Sequence, residues 1–243
     1  RESIADTART LSQYNAAIEI RSKKNETVNE LAAWSEVPVV NGMDHDRHPC
    51  QSMSDALTIL EHAGTLAGVT FAYVGDAAHP CNSLSTTLTK LGLHVRIGNA
   101  AGYEMASELQ ELARTFAAES GGSFLMTNDP VEAVTGADFI YTDFWWWTGQ
   151  EDEYKDRVAA FQAFQVNPDL WSHAKPEAKF MHCLPAMRGE EVVDEIADGP
   201  MSIIFPQAQN RMHFQKALLL ALIGIDELPA EPELQAIGKA LLS

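Results

Sequence analysis

Apolar positions along this chain follow two spacings, a period near 3.6 and short continuous runs. Ile4, Ala8 and Leu11 form an apolar stripe behind Ser3, a residue type suited to an N-cap, so a helix is expected from there to about Tyr14. Ala17–Arg21 (AIEIR) reads as a strand, Glu26–Trp34 as a helix and Pro38–Asn41 (PVVN) as a second strand. Met53, Leu57, Ile59 and Leu60 give His48–Gly64 a helical period, long enough to carry the chain from one domain to another.

The alternation then repeats. Val69–Gly75 (VTFAYVG), His94–Gly98, Phe124–Thr127, Phe139–Asp143 (FIYTD), Lys179–Leu184 and Ser202–Phe205 read as strands. Ser83–Leu91, Met105–Ser120, Pro130–Val134, Glu151–Phe164, Gln209–Ile223 and Pro232–Leu242 read as helices. Strands alternating with helices imply an α/β fold with parallel, doubly wound sheets. Residues from about 65 to 205 make one complete unit of this kind. Residues 1–47 supply only two strand–helix units, too few to close a domain, so an incomplete N-terminal domain is expected.

Composition narrows the partners. The 243 residues hold 17 Lys plus Arg against 34 Asp plus Glu, a formal charge of −17. That balance argues against a nucleic-acid partner, which needs basic surface. An anionic substrate would have to be captured locally, by a few arginines and helix N-termini, against the overall field. The acidic, lysine-poor surface also resembles that of salt-adapted proteins. Cys50, Cys81 and Cys183 are an odd set with no CxxC spacing, which suggests a reduced, cytoplasmic protein. No apolar run approaches the roughly 18–20 residues of a membrane span, and the N-terminal segment lacks a secretory h-region, so no membrane partner is expected.

Candidate chemistry gathers where strands end. In Lys179–Glu191 (KFMHCLPAMRGEE) an apolar strand delivers Cys183 to its carboxyl end and Pro185 stops it. Doubly wound sheets bind ligands at those ends. Arg21 closes AIEIR and is either a solvated arginine or a bidentate donor to a phosphate or carbonyl oxygen. His48-Pro49-Cys50-Gln51 opens a long helix, where anions are favoured; His48 is either structural or a donor to a carbonyl. Gly75-Asp76 continues as GDAAHPCNS rather than GxGxxG, which counts against a dinucleotide. Asp143 precedes Phe144-Trp145-Trp146-Trp147. It is either a turn aspartate or the holder of a substrate ammonium beside an aromatic wall, and the aromatics are otherwise core or a subunit interface. Arg211 lies near the start of the long C-terminal helix and alone says little.

Together ESIADTARTLSQY, IEIR, VPVVNGMDHDRHPCQSMSDALTILEH, FAYVGD, FIYTD, FQV, FMHCLPAMRGEEVVDE and QNRMHFQKALL resemble the aspartate/ornithine carbamoyltransferase family, on its ornithine side. HPCQ followed by HCLP is specific, and the likeness runs over nearly the whole chain. It implies a two-domain protein, usually a homotrimer, needing no cofactor or metal, whose substrates are carbamoyl phosphate and a small amine. The domains would be 1–62 for carbamoyl phosphate, 63–208 for the amine, and 209–243 as C-terminal helices, the first returning to the N-terminal domain. Carried over, Arg21, His48, Pro49, Cys50, Gln51, Cys183, Leu184 and Arg211 would bind carbamoyl phosphate. Arg21 and His48 would polarise its carbonyl, and Cys183 would sit between the two substrates. Asp143, His79, Trp147 and Thr148 would face the acceptor. The product would be citrulline, within arginine metabolism.

Three departures qualify the likeness. The family's Ser-x-Arg-Thr phosphate loop should precede Arg1, so the chain is expected to be inactive alone or a piece of a longer protein. Ala78-His79-Pro80 stand where ornithine enzymes carry Asn-Asn, and Trp147-Thr148-Gly149 stand for Ser-Met-Gly. Both changes fall where ornithine's amino-acid end would be held. Putrescine or another ornithine-like amine is therefore the alternative acceptor, and a non-catalytic homologue the alternative class. A nicotinamide-dependent oxidoreductase is disfavoured by the missing GxGxxG.

Overall fold

The computed structural model describes residues 2–77, 79–147 and 149–224, with His79 as backbone only. The helix expected over Pro232–Leu242 lies outside the described residues. At the N-terminus, α1 (Ile4–Ser12) is capped by Ser3, whose Oγ accepts from the Asp6 amide at 3.0 Å. It packs with α2 (Asn25–Trp34) over β1 (Ile18–Arg21) and β2 (Val39–Met43), a parallel pair. Ala8, Ile18 and Leu31 form the small core between these layers.

The pair carries one irregularity that matters for the site. Ile20 pairs with Asn41, but Arg21 pairs with Met43, so Gly42 is skipped. A Cβ at Gly42 would lie 2.6 Å from Glu19 Oε1 and 3.2 Å from the Ile20 carbonyl oxygen, so glycine leaves the bulge free of a close contact. β2 therefore runs past Asn41, where the strand PVVN is expected to end, to Met43.

The long helix α3 (Pro49–Ala63) then leads to the second unit. It begins on proline at the first position and ends on Gly64 at φ 72°. There, β3 (Thr70–Val74), β4 (His94–Gly98), β5 (Ser123–Thr127), β6 (Phe139–Thr142) and β7 (Lys179–His182) form one parallel sheet in the order β5-β4-β3-β6-β7. The chain winds outward from β3 through β4 to β5, then returns to the other side of β3. This is the doubly wound topology, and its switch point lies between the carboxyl ends of β3 and β6. The connections carry α4 (His79–Lys90), α5 (Ser107–Ser120), α6 (Pro130–Val134), α7 (Tyr154–Phe161), flanked by 3-10 turns, and the one-turn α8 (Pro168–Trp171).

Period-two alternation sends each strand's residues to two cores. Phe71, Tyr73, Val95, Ile97, Tyr141 and Met181 face Leu84 and Leu88 of α4 and Ile59 of α3. Ala72, Val74, Ile140 and Phe180 face Val134, Phe161 and Phe164. Burying each large apolar side chain contributes about 1.5–3 kcal/mol, enough to hold the strand ends in fixed register.

After one-turn α9 (Asp194–Ala197), α10 runs Ile204–Leu222. This corrects the strand expected over Ser202–Phe205. Ser202 makes a single bridge with Phe180, and the helix begins two residues later. An apolar run of that length does not separate a strand from a buried helix start. Here the buried residues Ile204, Gln207, Asn210 and Phe214 carry the helical period through it, and Pro206 is tolerated within the first turn. α10 packs along α3 through a polar seam. Gln207 Nε2 donates to Asp55 Oδ1 at 2.7 Å, and Asn210 Nδ2 donates to Thr58 Oγ1 at 3.0 Å and Glu61 Oε2 at 2.6 Å.

Candidate active site

The carboxyl ends of β1, β6 and β7 and the first turn of α3 converge on one cavity of about 130 Å³. Arg21, His48, Gln51 and Arg211 line one part of it. Asp143, Phe144, Trp147, Cys183 and Leu184 line the rest, with Met43, Pro80 and Pro185. Arg21, Met43, Phe144 and Trp147 also border an adjoining cleft of about 490 Å³. Eight residues singled out from sequence thus share one cavity: Arg21, His48, Gln51, Asp143, Trp147, Cys183, Leu184 and Arg211. Pro49 and Cys50 do not line it. Pro49 starts α3, and the buried Cys50 turns its Sγ toward the Asn41 carbonyl at 3.5 Å. His79 opens α4, beside the lining Pro80, but its side chain lies outside the described structure, as does Thr148.

His48 is the N-cap of α3 and is buried. Its amide donates to Ser83 Oγ on α4 at 2.8 Å, which pins the start of α3 to the second unit. The loop before it is built by Asp44, which accepts from Asn25, Asn41 and the amides of Asp46 and Arg47. Gln51 donates its Nε2 to Asp55 at 2.8 Å. Its Oε1 is buried without a hydrogen-bond partner among the described residues. Helix-terminal amides and two arginines make this wall a site for an anion.

The opposite wall is acidic and aromatic. Asp143 is fully buried; its Oδ1 accepts from Cys183 Sγ at 3.1 Å and its Oδ2 lacks a partner of standard geometry. Burial pushes its carboxyl up to about 6, against the nearby His182 and the Cys183 hydrogen bond, which favour the charged form. Burial, with the Asp143 carboxylate beside it, also holds the Cys183 thiol well above its ordinary range. A thiol in that state is a neutral donor, not an activated nucleophile. His182 is buried and braces the turn. Its Nδ1 accepts from the Leu184 amide at 2.8 Å, so its Nε2 carries the proton donated to Glu191 at 3.2 Å. Leu184 sits at φ 60°, where non-glycine residues are uncommon. Asp143, His182 and Cys183 place ligand-type atoms within 4.8 Å of one another. These hydrogen bonds already occupy both ring nitrogens and Asp143 Oδ1, which leaves the group poorly arranged for a metal.

The aromatic run divides among three surroundings. Trp145 is fully buried beside Phe161, in the core. Trp146 donates Nε1 to Glu190 at 3.2 Å and meets Tyr154 edge-on. Phe144 and Trp147, with ring centroids 4.2 Å apart, form the cavity wall. The segment thus sends Trp145 to the core and Phe144 and Trp147 to the cavity.

Gly75, at φ 134°, ends β3 under the Trp145 indole, and a Cβ there would meet Thr142 Oγ1 at 3.3 Å. Arg157 of α7 joins the two sides of the switch point, donating to Asp76 at 2.9 Å and to the Trp145 carbonyl at 3.2 Å. Arg157, Asp55, Gln207 and Glu191 support the site and were not singled out from sequence. For Arg157, Asp55 and Gln207 the signal is a partner distant in the chain, whereas Glu191 meets His182 only nine residues away.

Residues 67–222 match the Asp/Orn binding domain of aspartate/ornithine carbamoyltransferase, and residues 1–61 match its carbamoyl-P binding domain. The ornithine carbamoyltransferase of Pyrococcus horikoshii is 49% identical over 223 residues, 92% of this chain and 70% of that protein. That of Bacillus subtilis is 49% identical over 222 residues, 91% of this chain and 70% of its own. The solved ornithine carbamoyltransferase from Pyrococcus furiosus superposes with a TM-score of 0.90 at 49% identity, covering 93% of this chain and 72% of that one. A matched fold, a cavity fed by HPCQ and HCLP, and identity near one half over most of the chain, with both family domains matched, place this chain in the aspartate/ornithine carbamoyltransferase family.

Proposed function

We propose that the protein moves the carbamoyl group of carbamoyl phosphate to the side-chain amine of ornithine, releasing citrulline and phosphate. The observation that carries this reading is the single cavity in which Arg21, His48 and Arg211 stand across from the buried carboxylate of Asp143. The names of the relatives at 49% identity agree with it.

The neutral amine attacks the carbamoyl carbon, and the C–N bond forms as negative charge grows on the carbonyl oxygen. The C–O bond to phosphate then breaks, phosphate leaves with that electron pair, and the amine gives up a proton. Donors fixed around the developing oxyanion supply rate because they need no reorganisation in the transition state. Arg21, His48 and Arg211 take that role. Asp143 holds the amine side, with Cys183 between the two substrates, and co-binding adds proximity. Pro49 and Cys50 contribute through the start of α3 rather than by contact. His79 and Thr148 are assigned to the acceptor side by the family resemblance alone.

A second reading concerns the acceptor. Five residues that line the cavity with Asp143 (Pro80, Phe144, Trp147, Leu184 and Pro185) are apolar, which suits a diamine such as putrescine. One assay decides. Carbamoyl phosphate is supplied with a panel of amines, and ureido product and phosphate are measured. Product with ornithine is expected; product with putrescine alone moves the substrate, and no product with any amine, from the longest reading frame that includes the upstream phosphate loop, removes the enzyme reading. The same reading gives a homotrimer in the cytoplasm, with mass by light scattering as its check.

A further inference from the structure

Asp55 touches neither wall of the cavity, yet it is fully buried, in the middle of α3 where the helix faces α10 and β6. An ion in such a place is retained only when its surroundings satisfy it. Two amides do so. Gln51 Nε2 at 2.8 Å and Gln207 Nε2 at 2.7 Å donate to the same Asp55 oxygen, Oδ1. Oδ2 has no partner of standard geometry; it lies in the neighbourhood of Tyr141, whose hydroxyl also lacks one.

A carboxylate oxygen in this position can only accept. It therefore dictates which end of each glutamine points away from it. For Gln207 the free end is Oε1, which accepts the His182 backbone amide at 2.9 Å and so sets the approach of β7 to the Cys183 turn. For Gln51 the free end is again Oε1, buried, unpartnered, and belonging to a residue that lines the cavity. Arg21 and Arg211 supply donors on this wall. Gln51, held by Asp55, supplies an acceptor. Burial raises the Asp55 carboxyl to about 7, so it titrates near neutrality. The arrangement survives that change, because a proton carried on Oδ2 leaves Oδ1 as the acceptor for both amides.

We infer that Asp55 is a positioning residue for carbamoyl transfer: it fixes the Gln51 amide with its oxygen toward the cavity, where it receives the NH₂ group of the carbamoyl donor. The inference rests on the transfer reading above.

The test is a double-mutant cycle on the protein, read as the Kd of carbamoyl phosphate by calorimetry and as kcat and KM for both substrates. Asp55→Leu removes the acceptor. It is expected to weaken carbamoyl phosphate binding at least tenfold while the ornithine KM stays within twofold. Gln51→Leu should give a similar loss, and the double variant should be no worse than Gln51→Leu alone, because Asp55 acts through Gln51. Asp55→Asn, whose amide oxygen can still accept from both glutamines, should recover most of the loss. If Asp55→Leu does not fold, Asp55→Ser takes its place in the cycle, its hydroxyl too short to reach Gln51. Losses that multiply in the double variant, or that fall equally on both substrates, would overturn the inference, as would failure of Asp55→Asn to recover binding. If the unaltered protein binds carbamoyl phosphate but carbamoylates no amine, the transfer reading fails while the binding cycle still decides the role of Asp55. Absence of binding by the unaltered protein would remove both.

Discussion

The Cys183 thiol donates to Asp143 Oδ1 across 3.1 Å, joining the carboxyl ends of neighbouring strands β6 and β7. Burial raises the cost of ionising both groups; the carboxylate adds to that cost for the thiol, while the thiol's hydrogen bond eases it for the carboxyl. Serine at 183 keeps a donor but shortens its reach. Cys183→Ser is expected to raise the acceptor KM by several-fold and to leave carbamoyl phosphate binding within twofold. Steady-state kinetics with each substrate varied in turn checks this. Iodoacetamide should alkylate Cys183 far more slowly than a free thiol at pH 8, since the thiolate is scarce.

Asp143→Asn should cut kcat/KM for the amine by about tenfold to a hundredfold, the worth of a hydrogen bond to a charged group. The pH profile carries a second signature. With the carboxyl at about 6, acceptor use in the unaltered enzyme should fall as pH drops through that value. The Asn variant should lose this acid limb.

Arg21→Ala should weaken carbamoyl phosphate by about 2–5 kcal/mol, or roughly thirtyfold and upward, as when a buried charge loses its partner. Calorimetric titration reads it directly. Unchanged affinity would take Arg21 out of the donor wall.

Stability should depend on pH in a direction set by Asp55 and Asp143. Both carboxyls are raised in the folded protein, to about 7 and about 6, from 3.8. Between the unfolded and folded values the native state binds more protons, so stability is fullest below about pH 4 for these two groups and falls as pH rises toward 7. Asp55→Asn carries no charge to bury. At pH 8 its Tm should exceed that of the unaltered protein by about 3 °C or more, given about 2–4 °C per kcal/mol at this size. A Tm difference that does not grow between pH 5 and pH 8 would contradict this account.

Arg157 is nearly buried and bonded to Asp76, Glu153 and the Trp145 carbonyl. Arg157→Met should leave Asp76 unpaired and cost about 3–5 kcal/mol, or a Tm drop of about 6 °C or more. The acceptor KM should rise with it, since Asp76 and Trp145 follow the two strands at the switch point. Calorimetric melting and kinetics on one preparation check both effects.

Strand ends were the readable part of this sequence. Cys183 stands out because proline and a polar turn interrupt an apolar run, and the same logic finds Arg21 and Asp143. His48 and Gln51 are legible from the start of a long helix. Asp55 is not, because a carboxylate within an amphipathic helix looks solvated until Gln207, 152 residues later, is placed against it. The three tryptophans could not be told apart either. Their segment is an irregular turn, so no periodicity assigns Trp145 to the core and Trp147 to the cavity. Ser202–Phe205 misled for a related reason: its apolar residues fit both a strand and the buried face of a helix start.

The cavity is walled by residues from Arg21 to Arg211, drawn from both folding units and from α3 and α10. A ligand seated there binds only when both units are folded together. Each tenfold excess over its Kd therefore adds about 1.4 kcal/mol to the cohesion of the pair as a whole. Substrate is in this sense a reversible cross-link between the two ends of the chain, and melting in its presence should draw the two units into a single transition.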